Sequence, residues 1–339
     1  MNSFGRLFRL TLLGASHGPG VGVVIDGCPA GLELSPDDLG PALARRRSGA
    51  AGTSARREPD EPQLLAGVWQ GRTTGAPLLI WFDNRDVDSS DYQRLRQLPR
   101  PGHADLTARQ RYGPWADTRG GGVFSGRLTA GLVAAGAVAR KLLAGVAIGA
   151  ELVAAGGRAE LAAAVAAAAA ERDSVGGLVA CRVTGLPPGL GEPWFDALES
   201  LLAHLIFAIP GVRGLEFGAG MAAAGMRGSQ ANDPILDRSG RSEGNAAGGC
   251  NGGLSNGNPI ELRVAFKPTA TIGRPQRTVD LSTGQPAVIE AGGRHDACFA
   301  LRTPVIVESA CAVVLADLLL QAQRIPRVLD GPDLPEGGG

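Results

Sequence analysis

Short blocks of alternating apolar and polar residues open the chain. Residues 6–13 (RLFRLTLL) and 21–25 (VGVVI) read as strands, with Gly14-Ala15-Ser16-His17-Gly18 as the turn between them. Cys28-Pro29-Ala30-Gly31 turns the chain again. Ser35-Pro36-Asp37-Asp38 is a helix start: serine caps, proline takes the first helical position, and two acids face the positive end of the dipole. The predicted helix ends near Arg45-Arg46-Arg47. Residues 48–62 are polar and irregular. Residues 64–69 and 77–82 read as strands around the turn 71–75. Residues 83–123 are rich in Asp, Arg, Gly and Pro and read as a long loop region, a feature that is commonly functional or disordered.

The pattern then changes period. Residues 125–143 form a long apolar helix, 158–172 an alanine-rich helix without chemistry, 177–184 a strand and 196–207 an amphipathic helix. Residues 209–258 are dense in glycine. A strand at 261–266 and a closing helix at 304–323 follow, before a Pro/Gly/acid-rich tail expected to fray. Strands and helices recur in both halves without a fixed repeat. The pattern predicts one pseudo-duplicated α+β body over 1–325 and a flexible tail over 326–339.

Composition narrows this picture. At about 150 residues per domain, 339 residues allow two domains or one large two-lobed domain. Lys plus Arg is 33 and Asp plus Glu is 33, so bulk charge gives nucleic acid no purchase. No uncharged run reaches the length of a membrane span; the apolar stretch 128–139 stops at Arg140-Lys141. The apolar run after Arg9 is too short for a signal-peptide core and is read as the first strand. The chain has 5 cysteines with no C-x-x-C spacing, which speaks against a disulfide scaffold or zinc knuckle and for a reduced, cytoplasmic setting.

Candidate chemistry begins with four histidines: 17, 103, 204 and 295. His17 and His103 sit in glycine-flanked loops, where an imidazole titrating near ~6.5 can donate a proton at neutral pH. His204 falls on the amphipathic helix and reads as packing. No spacing suits a metal site, and no G-x-S-x-G elbow accompanies the adjacent Ser16-His17. The basic residues are almost all arginine; Lys141 and Lys267 are the exceptions. Arg45-Arg46-Arg47, Arg56-Arg57, Arg119-Gly120-Gly121-Gly122, Ser125-Gly126-Arg127 at a helix start and Lys267-Pro268-Thr269 together attract anions. An enzyme handling phosphorylated, carboxylated small molecules is the expectation.

These segments resemble the chorismate synthase family over residues 5–325. Gly14-Ala15-Ser16-His17-Gly18 stands where the family has G-E-S-H-G. Arg45-Arg46-Arg47-Ser48-Gly49, Arg56-Arg57-Glu58-Pro59-Asp60-Glu61 and Arg100-Pro101-Gly102-His103-Ala104-Asp105 follow in family order. So do Gly120-Gly121-Gly122, Ser125-Gly126-Arg127, Asp173-Ser174-Val175-Gly176-Gly177, the segment 185–193, Arg227-Gly228-Ser229-Gln230, Phe266-Lys267-Pro268-Thr269 and Gly293-Arg294-His295-Asp296.

The resemblance implies an α+β fold, a β-α-β sandwich with central helices between two antiparallel sheets, in a homotetramer. It implies a lyase of the shikimate pathway. That enzyme removes phosphate and a ring hydrogen from 5-enolpyruvylshikimate 3-phosphate by 1,4-anti elimination, giving chorismate and needing reduced FMN. NADPH is implied only as a reductant of the flavin. By motif match, His17 is the acid assisting phosphate departure, His103 tunes protonation of the reduced flavin, and Asp296 helps the flavin receive the departing proton. Arg45, Arg46 and Arg127 would hold phosphate and carboxylates. Ser125, Pro210, Gly211, Gly252, Lys267, Pro268, Thr269, Ala270, Thr271 and Arg294 would contact FMN; no metal is implied.

The sequence also departs from the family. Ala15 stands for Glu, the loop after Arg47 is one residue shorter and lacks an Arg, and Val123-Phe124 replace Arg-Ser. Leu128 replaces Glu, Ala246 replaces His and Pro210-Gly211 replace Asn-Ala. A lost charged contact costs roughly 1.5–3 kcal/mol. A divergent paralogue with weakened FMN binding, acting on a related enolpyruvyl compound or serving as a non-catalytic binding protein, is therefore the second reading.

Overall fold

The computed structural model describes residues 2–54, 56, 58–86, 96–290 and 295–329. Two antiparallel sheets face each other across a helical layer. The first runs in the order Ser3–Phe4, Arg9–Gly14, Gly20–Asp26, Leu78–Asp83, Gln63–Ala66. Its register pairs Leu12 with Val23 and Val23 with Ile80. Along Leu78–Asp83, Leu78, Ile80 and Phe82 are buried while the residues between them are only partly so, the period of a strand with one face on the core. The second sheet runs Val212–Phe217, Ile260–Phe266, Gly177–Thr184, Ala147–Ala155. Val179, Cys181 and Val183 share the inward face with Ile260, Leu262, Val264 and Phe266.

Between the sheets lie the helices Thr129–Leu142 and Pro304–Gln321, packed on each other; the first rests on Gly20–Asp26, the second on Ala147–Ala155. Both are apolar on nearly every side, as a helix enclosed by protein must be. Pro304–Gln321 is long and apolar enough to cross a membrane, yet 89% of that stretch is buried inside the protein. Glycine permits the close approach. A Cβ on Gly136 would lie 2.3 Å from Cβ of Ser309, and one on Gly131 would lie 2.8 Å from the carbonyl oxygen of Gly22. The α+β sandwich expected from the resemblance is the observed architecture.

Buried carboxylates tie the layers together. Asp317 on the second central helix accepts the backbone N–H groups of Leu7 (2.7 Å) and Phe8 (2.8 Å). Glu308 on the same helix accepts Arg45, Arg140 and the Ala150 N–H. The helix Pro36–Arg46 starts where Ser35-Pro36 predicts, with the Ser35 N–H donating to Asp38 Oδ2 at 2.7 Å. The cysteines at 28, 181, 250, 298 and 311 are buried and unbridged.

Several elements lie outside the predicted pattern. Strand Ala147–Ala155 is largely alanine and glycine, without the β-branched run that marks a strand. Strand Val212–Phe217 sits inside the glycine-dense stretch, and the hairpin Gln276–Val279 with Pro286–Ile289 carries no clear alternation. Helix Asp105–Tyr112 stands in the predicted loop; it buries no residue, so it has no apolar face to detect. The tail beyond 329 lies outside the described residues.

Candidate active site

The loops leaving one end of the sandwich enclose a cavity of about 920 Å³. Its walls come from Arg46 and Arg47 at the end of the first helix, from the loops carrying Arg56–Asp60, Arg100–Asp105 and 116–127, from 207–213 and 267–271, and from His295, Asp296, Phe299 and Arg302. Cations outnumber carboxylates along it: Arg46, Arg47, Arg56, Arg100, Arg127, Arg213, Lys267 and Arg302 against Glu58, Asp60, Asp105, Asp117 and Asp296. Phe124, Phe207, Ile209 and Phe299 supply apolar surface beside them.

Asp60 is the hub of one wall. It is 1% exposed, and both Arg46 and Arg127 bond to its carboxylate. Burial alone would raise its pKa, but the two guanidiniums hold it below the usual carboxylate range. Burial in turn pulls Arg46 down to about 10, which still leaves it charged at neutral pH. The Nε of Arg46 is buried without a hydrogen-bond partner, as are the Nε of Arg302 and the Oγ1 of Thr269, all on this cavity. Orphaned buried donors of this kind are costly and call for a ligand or water.

His103 is held at both nitrogens. Nδ1 lies 3.2 Å from the Pro101 carbonyl oxygen, which can only accept, so Nδ1 carries the proton; Nε2 then accepts from the Thr271 hydroxyl at 2.7 Å. Burial, helped by Arg100, lowers its pKa to about 4, so the ring is neutral at pH 7. Asp296 is buried; Oδ1 accepts the Ser54 N–H at 2.7 Å and Oδ2 accepts Arg302 at 2.9 Å. Lys267 donates from Nζ to the Gly102 carbonyl at 2.7 Å, and its backbone N–H donates to Gly211 at 2.8 Å. Burial and the neighbouring Arg213 keep its ammonium pKa below the usual lysine value.

His17 stands behind the wall. A Cβ on Gly120, a wall residue at φ +59°, would lie 2.2 Å from the His17 ring, so only glycine lets the loop lie against the imidazole. Ser16 Oγ, almost fully buried, sits 2.9 Å from His17 Nδ1. The turn is anchored from outside by Arg56, whose guanidinium donates to the Ser16 carbonyl at 3.1 Å, and by Asn84.

The expected site residues separate as follows. His103, Asp296, Arg46, Arg127, Ser125, Pro210, Gly211 and Lys267, Pro268, Thr269, Ala270 and Thr271 line one cavity. Arg45 does not. Neighbouring helical positions point about 100° apart, and Arg45 turns to the central helix, where Glu308 accepts both of its terminal nitrogens at 2.7 and 2.8 Å. Gly252 sits in the hairpin of Cys250–Asn251 and Leu254–Ser255 and is not on the cavity wall. Arg294 lies outside the described residues. Asp60, Asn84, Arg100 and Arg302 went unassigned by sequence. Asp60 and Asp105 lie inside the family-like motifs, but nothing in their spacing marks them as partners for arginines. Val123 and Phe124 are half-exposed on the wall. Among the described residues no cluster of His, Cys, Asp or Glu could hold a metal ion.

An α+β sandwich with a large, cation-rich, half-apolar cavity has the architecture of a small-molecule enzyme. The sequence model described as chorismate synthase matches residues 8–320. The chain is 51% identical over 329 residues to the chorismate synthase of Chitinophaga pinensis, covering 97% of this chain and 99% of that one. It is 45% identical to the Korarchaeum cryptofilum chorismate synthase, covering 95% and 98%. A solved crystal structure of chorismate synthase superposes with a TM-score of 0.73 at 26% identity, over 94% of this chain and 93% of that one. The chain belongs to the chorismate synthase family of lyases.

Proposed function

We propose that this protein eliminates phosphate and a ring hydrogen from 5-enolpyruvylshikimate 3-phosphate to give chorismate, with reduced FMN held in the same cavity. The observation that carries the reading is the meeting of Arg46, Arg127, His103, Asp296 and the segment 267–271 around one space. Ligand cavities run to about 1,000 Å³, so 920 Å³ accommodates a planar cofactor together with a small substrate. The residues fit the flavin. Phe124, Phe299 and Ile209 offer apolar surface to a ring system, Lys267 and Arg213 offer charge to its phosphate, and the unpartnered Thr269 hydroxyl offers a hydrogen bond.

Reduced FMN, when bound, would supply electron density to the elimination. The chain's own groups do the rest. Arg46, Arg127 and Arg56 face only two carboxylates, Asp60 and Glu58, and so retain attraction for the substrate's phosphate and carboxylates. Negative charge grows on the phosphate as its C–O bond breaks, and preorganised cations stabilise such charge most effectively in a dry wall. His17, its Nδ1 beside Ser16, is the assigned proton donor; because it stands behind Gly120 and not on the cavity wall, the Gly120 loop must shift for it to reach the departing phosphate. His103, neutral at pH 7 and held at both nitrogens by Pro101 and Thr271, is the residue assigned to tune protonation of the flavin. Asp296, fixed by Ser54 and Arg302, is the assigned aid to departure of the ring proton. Bonds and electrons balance: the products are chorismate and inorganic phosphate, with no net oxidation. NADPH is assigned only the regeneration of reduced flavin; the homotetramer is assigned from the family resemblance, and the exposed Trp115, Trp194 and Phe195 suit association.

The paralogue reading rested on Val123, Phe124 and the shortened loop. No observation favours it, because Lys267 and Arg213 keep the wall cationic. The test is anaerobic phosphate release with chemically reduced FMN. Turnover that disappears in His17→Ala and His103→Ala, with the fold intact, is expected. Tight flavin binding without turnover, or no flavin binding, would overturn the reading.

A further inference from the structure

Asn84 follows the strand Leu78–Asp83 behind the wall residue Arg127, and its side-chain amide works in two directions. Nδ2 donates to the carbonyl oxygens of Ala15 (2.9 Å), Gly18 (2.8 Å) and, more distantly, Ser16 (3.3 Å), the turn that carries His17. Oδ1 accepts Arg127 Nε at 3.0 Å. The Asn84 backbone N–H donates to Pro19 at 3.0 Å, so the residue is pinned before its side chain acts. Arg127 spends its other nitrogens on Asp60 and on the Asp83 carbonyl (3.3 Å), which fixes the guanidinium on the same side as Asn84.

An amide is the one group of this size that donates with one end and accepts with the other. Aspartate could keep Arg127 but would set a carboxylate against three carbonyl oxygens. Leucine could do neither. Resting on the function proposed above, we infer that Asn84 is a positioning residue for the elimination. It sets the His17 turn and the Arg127 guanidinium in one fixed relation, so that proton donor and anion grip address the same leaving phosphate. A misplacement of the order of 1 Å costs about 100-fold in rate, which is the scale on which such a brace acts.

The test compares Asn84→Asp and Asn84→Leu with wild type, by steady-state phosphate release with reduced FMN and by NMR of the His17 ring nitrogens. In Asn84→Asp, kcat falls about 10- to 100-fold while KM for the phosphorylated substrate changes little. The pH profile of kcat also moves. In Asn84→Leu, KM rises as well, and the His17 ring loses its single Nδ1-bonded state. If Asn84→Leu does not fold, Asn84→Asp carries both readouts. Unmoved His17 signals, with kcat per folded enzyme within about twofold of wild type, overturn the inference whatever the loss of stability. A wild-type protein that released no phosphate would overturn the proposed activity instead, and the NMR comparison would still decide the role of Asn84.

Discussion

His103 shows at the scale of one residue how burial fixes charge. Its pKa falls from the ordinary ~6.5 to about 4 because the ring is enclosed and Arg100 stands near. The unfolded chain therefore binds a proton that the folded chain refuses between those values. By linkage, stability is complete above about pH 6.5 and declines as pH falls toward 4. Urea denaturation of wild type and His103→Gln across this window should show the steeper acid loss in wild type; parallel curves would contradict the assignment. The neutral state was not legible in the sequence, since Arg100-Pro101-Gly102-His103 shows a loop histidine but not its enclosure. The same limit applies to Arg45 and Arg46. They are adjacent letters in a basic run, and only the helix phase sends one to Glu308 and the other to Asp60.

Among the elements, the central helices depend on glycine where they touch. Alanine in place of a helical glycine ordinarily stabilises by roughly 1 kcal/mol. At Gly136 the added methyl would fall 2.3 Å from Ser309, and overpacking of this kind costs about 1–3 kcal/mol. Gly136→Ala should lower the thermal midpoint, as calorimetry can check; an unchanged or raised midpoint would mean the helix contact is looser than described. Capping and period-2 burial made the first sheet and the helix Pro36–Arg46 readable from sequence. Alanine-rich Ala147–Ala155 and the faceless helix Asp105–Tyr112 were not, because their place is set by neighbours rather than by their own pattern.

On the scale of the whole molecule, wide apolar side chains lie in water. Trp115, Trp194 and Phe195 are 85% or more exposed, an arrangement that suits association. Sedimentation equilibrium should give four times the chain mass of 34.6 kDa; a monomer at micromolar concentration would remove the proposed tetramer. The family and the α+β architecture were legible because motifs and capping signals survive in order, whereas the assembly of the cavity was not, since its walls come from segments as distant as Arg46 and Arg302. One consequence follows from the carboxylate of Asp60. Arg46, Arg127 and Arg56 are met there by only two carboxylates, Asp60 and Glu58, so the wall carries an unmet unit of charge in a place water reaches poorly. Such a wall sorts visitors by valence before it judges their shape: a multiply ionised guest is drawn inward, and an uncharged look-alike is left in the solvent.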